Sequence, residues 1–105
     1  MNRLGDMSEQ VVLQSQVSVP DGAGGQLKNW SDFAIVWAEV RPASATKGTR
    51  IAGTTVRRFI KIFVRDRPDL TLPLQVLWDN KTLRVLALRR AAGARTELEC
   101  EEVLQ

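Results

Sequence analysis

The chain has no histidine, no tyrosine and one cysteine, and it has no apolar run long enough to cross a bilayer as a helix. Each absence narrows the function. Without histidine, the commonest general base and the commonest transition-metal ligand are missing. A lone cysteine, Cys100, forbids an intrachain disulfide. It alternates with Leu98 among glutamates, as a small core residue of a strand would. The acidic residues lack the close spacing of a calcium loop, so no metal and no cofactor is expected. Carboxylate pairs such as Glu99 with Glu101 read as a solvated strand side rather than an acid and base, so no enzyme is expected. The first ten residues lack the apolar stretch of a signal peptide, and synthesis in a reducing cytoplasm is the default.

What is present is enough for a core. Apolar residues make up 44% of 105 positions, which predicts one folded domain over residues 1–105 with residues 1–8 as a flexible arm. The formal net charge of +3 conceals an uneven distribution. Residues 1–40 carry two basic and five acidic side chains; residues 41–95 carry thirteen basic and three acidic; residues 96–105 carry four glutamates and no base. Acidic ends and a basic middle suit head-to-tail subunit contacts or a basic face toward nucleic acid.

Period-two alternation recurs along the chain and predicts an all-β fold, a small β-barrel or sandwich of about six strands. Residues 9–19 place Val11, Leu13, Val17 and Val19 at odd positions. A glycine-rich break at residues 20–25 predicts a mobile exposed loop. Residues 27–41 form a second strand that is apolar on both faces, with Ile35 and Trp37 assigned to the core. Such a strand is central or meets a neighbouring subunit. Residues 43–55 look least strand-like and predict a long loop between the middle strands. Residues 56–65, 72–79, 82–89 and 95–103 complete the set, with core positions Ile60, Ile62, Val64, Val76, Trp78, Val85, Leu98 and Cys100. Asp79-Asn80-Lys81 predicts a tight hairpin turn.

Several of these segments, in this order, resemble the head–tail joining (head closure, stopper or connector) proteins of tailed bacteriophages. The first strand is followed by Gly24-Gly25 and Trp30. Val36-Trp37-Ala38-Glu39-Val40-Arg41-Pro42 is the most distinctive match. Arg67-Pro68-Asp69, the turn at Asp79-Asn80-Lys81 and the closing Leu98-Glu99-Cys100-Glu101-Glu102 follow. The resemblance implies a homo-oligomeric ring in the virion, beneath portal and adaptor proteins and above tail terminator or tail tube proteins, with packaged double-stranded DNA nearby and no membrane. Gene transfer agents and prophages use similar parts. The resemblance also turns the 43–55 loop toward the channel. That makes Lys47, Arg50, Arg57 and Arg58 candidates for facing DNA. Glu97, Glu99, Glu101 and Glu102 are candidates for a partner interface. The alternative is a monomeric OB-like nucleic-acid-binding barrel, with Arg57, Arg58 and Lys61 interleaved with Phe59 and Phe63.

Overall fold

The structure, a computed structural model, describes the backbone of residues 7–50 and 53–103, and side chains only outside 43–57. It comprises six strands: β1 (Glu9–Pro20), β2 (Gln26–Arg50), β3 (Gly53–Arg65), β4 (Leu74–Trp78), β5 (Lys81–Ala91) and β6 (Arg95–Glu102). They close into an antiparallel barrel in the order β1-β2-β3-β6-β5-β4, with β4 pairing back onto β1. The expected all-β barrel is therefore the fold. The flexible arm expected over residues 1–8 falls mostly outside the described residues.

The barrel interior holds the residues that alternation assigned to it. Val11, Leu13, Ile60, Ile62, Val64, Val76, Val85, Leu98 and Cys100 are buried, joined by Ala38, Leu74 and Leu83. Trp78 is only partly buried; its body packs on this core while its indole N–H donates to Glu9 Oε1 at 3.1 Å.

Strand β2 departs from expectation. Ile35 and Trp37 are 65% and 56% exposed, whereas Ala38 is fully buried. The opposite face of the strand points inward, carrying Ala34, Val36, Ala38 and Val40. Two physical reasons favour this choice. A six-stranded barrel has a narrow interior that small residues fit. In addition, the face that carries Ile35 and Trp37 also carries Glu39 and Arg41, whose charges are costly to bury.

Residues 43–50 and 53–55 are strand rather than the expected loop. Beyond Pro42, β2 pairs only with β3, from Ala45 opposite Arg58 to Arg50 opposite Gly53. Strand β3 meets β6 only from Phe59 onward. The segment thus forms a two-stranded arm outside the barrel. A second arm is built by the distal halves of β1 and β2, where residues from Gln16 opposite Trp30 to Pro20 opposite Gln26 pair with each other alone.

The glycine-rich tip of that second arm is exposed, and it is tied together. The Asp21 carboxylate accepts from the N–H groups of Ala23 and Gly25 at 2.8 and 3.0 Å. The Asp21 N–H donates to the Gly25 carbonyl at 3.1 Å. A Cβ at Gly25 would lie 2.7 Å from Asp21 Oδ2, so a side chain there would push the carboxylate off these hydrogen bonds. At the other hairpin Asp79 and Asn80 both take positive φ, 51° and 59°, as a two-residue primed turn requires.

Candidate interaction surface

The outside of the barrel is divided into two kinds of surface. One side is ionic. Glu39 on β2 accepts hydrogen bonds from Arg41 on the same strand and from Arg95 on β6, the latter at 2.7 Å. Between them lies Phe63 of β3, with the Arg41 and Arg95 guanidinium carbons each 4.9 Å from its ring centroid. This arrangement follows from register, since Glu39 sits opposite Phe63 and Phe63 opposite Glu97. Desolvation works to raise the Glu39 carboxyl, but the hydrogen bonds from Arg41 and Arg95 outweigh it and hold the group below its ordinary range. The network continues through Glu97, which is 3.4 Å from Arg89 and 3.9 Å from Lys61, and Glu99, which is 3.3 Å from Arg89.

The other side is a stripe along β1 and β2. In register, the outward positions of β1 and β2 run Gln10 opposite Trp37, Val12 opposite Ile35, Gln14 opposite Asp32, Gln16 opposite Trp30 and Ser18 opposite Lys28. Asp32 and Lys28 are the charged side chains among them. A bulge at Leu13/Gln14 leaves Phe33 of β2 out of register, and Phe33 packs beside Ala34 against the core. Gln14 then bridges three strands, donating to Asp32 Oδ1 at 2.6 Å and accepting from Gln75 Nε2 at 2.7 Å. Two hollows border the stripe. One, of about 390 Å³, is lined by Met7, Val36, Trp37 and the 65–67 turn. The other, of about 430 Å³, lies beside Val12, Leu77 and Trp78.

The residues singled out from sequence fall into three groups. Arg58 is exposed on the β2–β3 arm; the side chains of Lys47, Arg50 and Arg57 lie outside the described residues. Glu97 and Glu99 are engaged within the subunit by the cations named above. Glu101 and Glu102 are half-buried at the end of β6, where Glu101 faces Phe59 and Arg84. Phe63, offered as a base-stacking platform, is only 6% exposed and has two guanidinium carbons 4.9 Å from its ring centroid, so it is not open to a base. The stripe itself was half legible: β2 is apolar on both faces, and the charges at Glu39 and Arg41 were the signal for which face turns out.

A family model described as phage head completion protein matches residues 3–103. The chain belongs to that family. The ordered strand motifs that suggested head–tail joining proteins are therefore borne out, and the protein is a structural component of a phage-type virion. Solved structures agree. In a structure titled as the virion of a native gene transfer agent particle, one chain is 27% identical with a TM-score of 0.73, over 95% of this chain and 98% of that one. A solution structure of a protein from Shigella flexneri 2a shares the fold, with a TM-score of 0.71 at 22% identity over 97% of this chain and 96% of that one. No curated protein matches.

Proposed function

We propose that the chain is the subunit of a ring in the head–tail connector of a tailed phage or phage-like particle. It closes the DNA-filled head beneath the portal and adaptor and offers the surface to which the tail docks. The observation that carries this reading is the head completion match over nearly the whole chain, together with the 27% identity to a chain of a gene transfer agent virion. The architecture suits the task. A closed barrel has no free sheet edge, and its two-stranded arms reach beyond the body to neighbours or into a channel.

The β2–β3 arm brings Lys47, Arg50, Arg57 and Arg58 together in sequence and register. On this reading they face packaged DNA. Contacts to phosphate are sequence-independent and weaken as salt rises, because bound counterions are released.

Deleting the gene tests the reading. Full heads without tails, leaking DNA, are expected, with rescue by the chain supplied in trans. Tailed, DNA-filled particles formed without the chain would overturn it. Changing Lys47 and Arg50 to Ser is expected to leave assembly intact and impair DNA retention. A block to assembly in empty heads would instead assign the arm to a protein contact.

A further inference from the structure

Five of the seven large hydrophobic side chains exposed among the described residues belong to the β1–β2 ribbon, and register divides them between its two faces. Val17, Val19 and Leu27 lie on one. On that face Leu13 and Ser15 stand opposite Val76 and Leu74 of β4, whose side chains fill the barrel interior. From Gln16 onward β1 has left β4 behind and pairs with β2 alone. The core-facing alternation thus continues past the end of the barrel, and on the arm it leaves Val17, Val19 and Leu27 exposed. Their cross-strand partners add only Asn29, so this underside carries no charge. Ile35 and Trp37 lie on the other face, at the barrel end of the ribbon. There Ile35 stands opposite Val12, Val12 opposite Leu77 of β4, and Trp37 opposite Gln10. These five positions are uncharged as well. Asp32 and Lys28 share their face but sit beyond the bulge, toward the arm tip, and Asp32 is held by Gln14.

The two patches cannot cover each other within one subunit. They are on opposite faces of one ribbon, and Leu27 and Ile35 are eight residues apart along β2, roughly 26 Å at the rise of a strand. Between two copies they can meet. Each is an apolar group with one uncharged polar member, Asn29 on the underside and Gln10 on the outer patch, and both amides donate and accept. The outer patch also has seats for inserted side chains: a hollow of about 390 Å³ beside Trp37 and one of about 430 Å³ beside Val12 and Leu77. An underside without cations has nothing to offer phosphate, and a charged protein surface would lose its solvation against it. An uncharged protein surface is left, and the outer patch of a second copy is one. Two different patches on one subunit are what a heterologous contact joins, and one such contact, repeated, closes into a ring.

Resting on the ring reading above, we infer that the β1–β2 arm is the element that joins copies: its Val17, Val19 and Leu27 underside lies on the Val12, Ile35, Trp37 and Leu77 patch of the next subunit. The contact packs one sheet face on another and completes, in the assembly, the core that the arm's alternation begins.

The test uses assembled particles in which the chain carries Leu27→Cys and Ile35→Cys together, treated with a short bis-maleimide. Cys100 is fully buried and stays silent. A ladder of multimers of this chain is expected from the double variant and none from either single one. Dimers from one single variant would mean that like patches meet and overturn the inference, as would crosslinking of the Leu27→Cys chain to a different virion protein. No ladder from the double variant, while an amine-reactive crosslinker still yields multimers of the wild-type chain, overturns the surfaces and leaves the ring standing. No multimers with either reagent removes the ring and this contact with it. If the double cysteine variant is kept out of particles, opposite charges take its place. Leu27→Lys and Ile35→Glu should each fold by circular dichroism and each be absent from particles, and the two together in one chain should be readmitted. Incorporation of either single variant at the wild-type level, or failure of the pair to restore it, overturns the assignment.

Discussion

Arg95 donates a 2.7 Å hydrogen bond to Glu39 from 56 positions along the chain, over the strand that lies between them. The pair joins β2 to β6 across β3, and Phe63 fills the space beneath. Both side chains are well sheltered, 17% and 12% exposed. Removing one partner leaves the other partly desolvated and alone. Arg95→Met is expected to cost about 1.5–3 kcal/mol in urea unfolding, in the range of hydrogen bonds to charged groups.

The same site sets an acid limit. The folded Glu39 carboxyl sits below its ordinary value of 4.5. Its contribution is therefore fully present above that value and is lost as pH falls through the lower folded value. Stability of the wild-type chain should drop below about pH 4.5 more steeply than that of Glu39→Gln. Identical acid profiles would show that the pair contributes nothing.

Core and stripe substitutions should separate cleanly. Leu98 is fully buried, and Leu98→Ala is expected to cost about 3 kcal/mol. Trp37 is more than half exposed, and Trp37→Ala should cost under about 1 kcal/mol in the isolated subunit. A loss of 3 kcal/mol at Trp37 would place its ring inside the barrel after all.

Gln14 tests the base of the β1–β2 arm. It is 9% exposed and hydrogen-bonded to both Asp32 and Gln75. Gln14→Leu removes both hydrogen bonds, and because Asp32 is exposed and Gln75 half-buried it is expected to cost about 1 kcal/mol. Amide exchange should rise in residues 14–20 and 26–32 more than in β5 and β6. Uniform protection across the sheet would separate the network from the arm.

Cys100 should be inert. Burial, with a smaller push from Glu99, raises its thiol to about 12, so the thiolate that reacts is scarce at neutral pH. Alkylation by iodoacetamide should proceed only through unfolding, at a rate that follows added urea. Fast labelling of the folded chain at pH 7 would contradict the burial.

Much of this protein was decided locally. Alternation at Val11 and Leu13, at Ile60, Ile62 and Val64, and at Leu98 and Cys100 placed the strands and most of the core, because side-chain period is a property of the strand itself. Asp79-Asn80 specified its turn for the same reason. The sequence could not choose a face for β2, where both sides are apolar; barrel closure made that choice, by admitting Ala34 and Ala38 and expelling Trp37. Nor could it show residues 43–50 and 53–55 as part of a paired arm, since their composition is weakly strand-like and only the partner strand satisfies their backbone. The meeting of Glu39, Phe63 and Arg95 arises from the order in which strands close the barrel. That order depends on pairings between distant segments, which no local pattern encodes.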